Sequence, residues 1–209
     1  MKLLAHTLII LATLSLASRA EGALIVDTGT PNNTTGWSFY PSQYFAGEFS
    51  IAGTYQIQSV EGYLSNAFSP SAGTVTVAIW TDGGNTPGTT LFSSTFALAA
   101  SAPLAWYGVS GLNQPLAPGT YWVSFTPSSS IFGTMPCCAP NPLGEYDQNL
   151  NPAGWQDHGP NAYDYLDLGI RINAEPVAAV PEPAFLVLFS AGLVSAGVRR
   201  RLIATGAPK

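Results

Sequence analysis

The side chains with the most chemistry crowd into one stretch of the chain. Between residues 127 and 162 stand Cys137, Cys138, Glu145, Tyr146, Asp147, Trp155, Asp157 and His158, with Tyr163, Asp164 and Tyr165 directly after. Aromatic rings beside carboxylates can stack on sugar rings and hydrogen-bond their hydroxyls, which makes Tyr146, Trp155 and Tyr163 the candidate glycan contacts. The alternative is a lid whose aromatics cover the open end of a core and whose acids are simply solvated. Cys137 and Cys138 are the only two cysteines. Neighbouring cysteines close an eight-membered ring only through a strained peptide. A vicinal Cys137–Cys138 disulfide, pairing between chains and two free thiols therefore all stay open.

Catalysis and metal binding find less support. His158 is the one histidine outside the N-terminal segment, and it adjoins Asp157, where a triad needs a separate carboxylate to orient the ring. Gly108, Val109, Ser110 and Gly111 are followed by Leu112, so this is no nucleophile elbow. Carboxylates are plentiful, but no spacing picks out a glycosidase pair. Two thiols with His158 make a poor metal site. The acids of residues 145–167, or those around Asp82, lack the spacing of a calcium loop. No catalytic residue, metal ligand or cofactor is assigned, and the expectation is a non-enzymatic protein.

The elements that would position these groups read as strands. Residues 24–26 open one. Val75, Val77 and Ile79 alternate with polar neighbours up to Trp80, putting one apolar face on a strand. The turn of residues 82–88, with Gly83, Gly84 and Gly88, leads into a strand over 89–98. Pro118 and Gly119 suit a type II turn before the alternating residues 120–125. Residues 55–64, 104–109 and 165–172 complete the set, the last with Leu166, Leu168, Ile170 and Ile172 inward and Asp167 and Arg171 toward water. The fold class is all-β: an antiparallel, jelly-roll-like β-sandwich of about eight strands within residues 21–175. Residues 127–163, with prolines at 127, 136, 140, 142, 152 and 160, are expected to be a long irregular loop region.

Charge narrows the partners. Only 9% of the 209 residues are charged, and six of the seven cations lie in the two terminal segments. Residues 21–180 carry eleven carboxylates against a single cation, Arg171. Such a domain cannot neutralise a row of phosphates, so nucleic acid is excluded as a partner.

Both ends read as addresses. Met1 and Lys2 precede an apolar stretch, densest over residues 8–16, and Ser18, Arg19 and Ala20 follow. A basic start, a short apolar centre and a small-x-small exit make a secretory signal over residues 1–20, a helix at 3–18 cut after Ala20 by signal peptidase. At the other end Pro181, Glu182 and Pro183 are followed by an uncharged segment, 184–198, and then Arg199, Arg200 and Arg201. Fifteen residues make a helix of roughly 22 Å, short of a hydrocarbon core of about 30 Å. With arginines on the cytoplasmic side, such a short transmembrane helix, continuing to about residue 202, suits a transient membrane station.

This tail, residues 176–209, resembles the PEP-CTERM sorting signal of Gram-negative bacteria: the Pro-Glu-Pro triplet, an apolar span containing Ala191, Gly192 and Leu193, and the arginine cluster. The resemblance implies recognition by an exosortase, an inner-membrane intermediate, and delivery to the cell envelope or an exopolysaccharide-rich extracellular matrix. Residues 202–209 extend beyond the arginines, where many members stop. Val75, the Pro87 to Leu91 run and the Leu116 to Trp122 run are similar to a sandwich domain of exported bacterial surface proteins, a domain that hosts many roles. The expected function is that of an exported, non-catalytic structural or adhesive component. Polysaccharide binding is the alternative function. An ordinary single-pass anchor is the alternative reading of the tail.

Overall fold

The computed structural model describes residues 22–34, 36–151, 153–156 and 166–177. The secretory signal, the Pro-Glu-Pro triplet, the helix expected at 184–202 and Arg199, Arg200 and Arg201 lie outside the described residues. Contacts divide the chain into two units, Met1–Pro176 and Val177–Lys209, and the strands below all belong to the first.

Twelve strands are present among the described residues: β1 (Ala23–Asp27), β2 (Gly36–Phe39), β3 (Tyr44–Ile51), β4 (Tyr55–Leu64), β5 (Gly73–Asp82), β6 (Pro87–Leu98), β7 (Ala105–Leu116), β8 (Gly119–Pro127), β9 (Gly133–Pro136), β10 (Tyr146–Asn149), β11 (Trp155–Gln156) and β12 (Ile170–Pro176). No described residue is helical. The strands form a four-stranded sheet in the order β1-β12-β4-β7, a six-stranded sheet in the order β11-β10-β3-β8-β5-β6, and the pair β2-β9. Every pairing is antiparallel.

Alternation explains why these segments become strands. On β5, Val75, Val77 and Ile79 are fully buried; on β8, Val123 and Phe125 are; on β12, Ile170, Ile172 and Ala174 are. These rows share one apolar cluster with Val60 of β4 and Phe45 and Phe49 of β3. The two large sheets therefore face each other across a common core, a sandwich-like arrangement. Met135 of β9, Phe39 of β2 and Ile131 join the same cluster.

Several expectations are corrected. Among the described residues there are twelve strands, not about eight: β2 and β3 add to the expected set, and residues 127–163 are not irregular throughout, since β9, β10 and β11 lie there. These last three are short strands held by backbone ladders rather than by an apolar row. The last strand begins at Ile170, not at residue 165, although Leu166 and Leu168 are buried as expected. Gly119 does not take the left-handed conformation a type II turn requires. Gly111 does (φ 70°), within β7. There the β4–β7 register skips around Gln58, a bulge that returns Ile57 to the core face despite its odd spacing from Val60.

Candidate functional site

The outward face of the six-stranded sheet collects aromatic and acidic side chains. Register sets Glu48 of β3 beside Trp122 of β8, and Trp122 beside Trp80 of β5. It also places Asp147 of β10 beside Ala46, and Asn149 between Tyr44 and Trp155. The parity that sends Phe45, Val123 and Ile79 into the core sends Tyr44, Trp122 and Trp80 to the other side. Trp122 is fully buried yet lies outside the main apolar cluster, so this face carries a small core of its own.

The rings are held edge-on. Trp155 meets Tyr44 at 5.4 Å between centroids and 83° between planes, and meets Trp80 at 6.1 Å and 80°, the T-shaped geometry that ring quadrupoles favour. Their polar ends are tied down: Trp80 Nε1 donates to Ser124 Oγ at 2.9 Å, and Trp122 Nε1 donates to Asp82 Oδ1 at 3.2 Å. Trp155, Tyr44, Trp80 and Glu48 remain partly exposed. Burial, then the neighbouring charges of Glu145 and Asp82, raise the Glu48 carboxyl above its ordinary value. Burial likewise raises the Tyr44 phenol. A half-open array of rings beside a carboxyl can pack against a pyranose face and hydrogen-bond its hydroxyls.

The expected site residues scatter. Tyr146 is corrected: it is a buried residue of β10, and its hydroxyl accepts from the Leu143 amide at 2.9 Å and donates to the Leu168 carbonyl at 3.4 Å. Burial pushes that phenol far above its ordinary value, and no face of the ring is free for a sugar. Trp155 does stand in the aromatic array, with Tyr44 and Trp80 as partners in place of Tyr146. Tyr163, Asp157, His158, Asp164 and Tyr165 lie outside the described residues. Glu145 is half-buried and Asp147 fully buried. Cys137 and Cys138 follow β9 as two thiols with their sulfurs 2.8 Å apart, and no closed ring is present. Their contact raises the Cys138 thiol above its usual range, and Asn33 Nδ2 donates to Cys137 Sγ at 3.6 Å. Among the described residues no group of three or more His, Cys, Asp or Glu side chains converges as a metal site.

Sequence reasoning missed Tyr44, Trp80, Trp122 and Glu48. The signal was present in Trp80 and Trp122, large rings on the polar parity of two strands whose other parity is plainly core.

Two further clusters serve the fold. On the four-stranded sheet, Arg171 Nε donates to Asp27 Oδ1 at 3.1 Å while the guanidinium lies 3.9 Å over the Trp106 ring, which is 5.4 Å from Tyr63. At the loops, Phe68 and Phe132 are exposed and 5.8 Å apart, and Tyr40 packs on Phe132. Asn66 beneath them is fully buried: its Nδ2 donates to the Ser71 and Ala99 carbonyls, and its Oδ1 accepts from the Phe132 amide.

No protein-family model matches this chain, and no curated protein matches it.

Proposed function

We propose that the chain is an exported, non-catalytic surface or extracellular-matrix protein. In this reading a jelly-roll-like β-sandwich is the working domain, the N-terminal segment directs export, and the C-terminal tail directs sorting through an exosortase. Its role is structural or adhesive. The observation that carries the non-catalytic reading is the use to which ionisable groups are put. Asp82 Oδ1 accepts from the Gly84 and Asn85 amides as well as from Trp122. Arg171 joins Asp27 to Trp106, and the Tyr146 hydroxyl bridges Leu143 and Leu168. These groups fasten loops and strands, and that structural use of polar side chains is what supports the reading.

Replacing Glu182 by Ala leaves the apolar length of the tail almost unchanged and breaks the triplet. With a sorting tail, the variant accumulates unprocessed or is misrouted in a strain carrying an exosortase. With an ordinary anchor the change is silent, or strengthens insertion by removing a charge near the membrane. Immunoblots of membrane and extracellular fractions separate the two. Normal sorting of Glu182→Ala would defeat the reading.

A second reading, polysaccharide binding, is favoured by one observation: the half-exposed Tyr44–Trp155–Trp80 array beside Glu48. A glycan array on the purified chain tests it. Binding that survives Trp155→Ala and Tyr44→Ala would place any sugar elsewhere.

A further inference from the structure

The edges of the two large sheets are unequal. β1 carries Asp27 in an ion pair, β11 is two residues long, and β7 is interrupted by Gly111 at positive φ and by Pro115. Charge, brevity, bulges and prolines are the devices by which natural sheets blunt an edge. β6 differs. It is twelve residues long, and after Pro87 it contains no proline and no charge. Its register with β5 runs unbroken from Phe92↔Ile79 to Leu98↔Gly73. Among the described strands it has no hydrogen-bonded neighbour on its other side. Ser93, Thr95 and Ala97 are exposed on one face, while Phe92, Ser94 and Phe96 stand half-buried on the other.

Charge points to the occupant. Between residues 62 and 144, Asp82 is the sole Asp, Glu, Lys, Arg or His. The remaining described carboxylates sit on or beside β1, β3, β4, β10 and β12. A cationic partner would be drawn to those strands and not to β6. Two copies of an acidic domain repel each other through most of their surface, and least where β6 meets β6.

We infer that β6 is a self-pairing edge, through which two copies of this chain join their six-stranded sheets about a two-fold axis. The sequence complements itself in the antiparallel register centred on Ser94: Ser94 faces its own counterpart, Phe92 faces the second copy's Phe96, and Ser93 faces its Thr95. Aromatic pairs on one face and hydroxyl pairs on the other are stabilising cross-strand combinations. A two-fold isologous contact closes at the dimer and does not propagate as a fibre. The inference is independent of the sorting tail and of any sugar.

A charge exchange tests both the edge and the register. Sedimentation velocity of the full chain over rising concentration should show a reversible monomer–dimer equilibrium. The double variant Ser93→Glu with Thr95→Glu sets like charges opposite each other twice, as does Ser93→Lys with Thr95→Lys. Each alone should raise the dimer dissociation constant by about tenfold. Mixed in equal amounts, the acidic and basic chains should pair with each other. Ala52→Lys, exposed in the β3–β4 turn, should leave the constant unchanged. Hydrogen exchange adds a readout without substitutions, because the amides of residues 92–96 should gain protection as wild-type concentration rises. A monomer at every concentration would overturn the inference. So would association indifferent to both double variants, failure of the mixture to pair, or β6 amides whose exchange ignores concentration.

Discussion

Gly62 of β4 lies directly beneath the ring of Phe125 on the opposing sheet: a Cβ built on Gly62 would stand 2.8 Å from Phe125 Cε1. The two sheets thus approach closely here because one contributes no side chain where the other contributes a large one. Both residues are buried, so neither can retreat into solvent. Gly62→Ala should cost about 1–3 kcal/mol through overpacking, read as a lower urea midpoint at unchanged slope. Combined with Phe125→Leu, the loss should be smaller than the sum of the single losses, because the smaller side chain makes room. Strict additivity would show that the two residues are not in contact.

Asn66 is the second structural test. Its side chain joins the Ser71 and Ala99 carbonyls to the Phe132 amide from a fully buried position. Asn66→Ala leaves those groups to find water or remain unsatisfied, and should destabilise the fold by about 2 kcal/mol or more. Urea denaturation followed by tryptophan fluorescence measures it. An effect within about 0.5 kcal/mol, the size typical of surface changes, would deny Asn66 this role.

Glu48 makes stability depend on pH in a defined direction. Its folded-state pKa is raised, by burial first and then by Glu145 and Asp82, so the folded chain holds that proton more tightly than the unfolded chain. The benefit is complete below the unfolded pKa and is lost as pH rises through the folded pKa. Glu48→Gln removes this step. Its melting temperature should exceed wild type at pH 7, with the gap closing toward pH 4. The side chain is largely solvated, so the gap should be small. An equal offset at both pH values would exclude titration as the cause.

The cysteine pair gives a redox prediction. The Cys137 and Cys138 sulfurs lie 2.8 Å apart as thiols. Given the export proposed above, an external disulfide-forming oxidant of an oxidising compartment can take up their two electrons and two protons. The oxidised monomer should then carry no thiol that labels under denaturing, non-reducing conditions, and two after reduction. Labelling before reduction would refute the ring, and a reducible dimer on a gel would favour pairing between chains.

The aromatic array yields a prediction with separable readouts. Trp155→Ala removes a partly exposed ring from between Tyr44 and Trp80. On the polysaccharide-binding reading it should abolish retention of the glycan while shifting the melting temperature by only a few degrees, as expected for a loss of about 1 kcal/mol. Full retention would leave the array as packing alone.

The amino-acid sequence by itself determined the all-β class, because two-residue alternation on residues 73–80 and 120–125 has one physical solution, a strand with a buried face. It also determined which side chains of residues 166–172 turn inward. It did not reveal β3, since Gly47 interrupts the apolar row. That glycine exists because its Cβ would meet Leu143 Cδ1 at 2.7 Å and Ile170 Cδ1 at 2.9 Å, contacts separated from it by about a hundred residues. Nor did it reveal β10, whose Asp147 and Gln148 are buried because the backbone pairs with β3, a ladder that side-chain pattern does not encode. The same holds for the site. Trp155 was legible as a ring in a polar setting, but its true neighbours come from β3 and β5, and Tyr146 went to the core because β10 turns that parity inward. Local periodicity decides which face of a strand is apolar; only the pairing of strands distant in sequence decides which residues share a face.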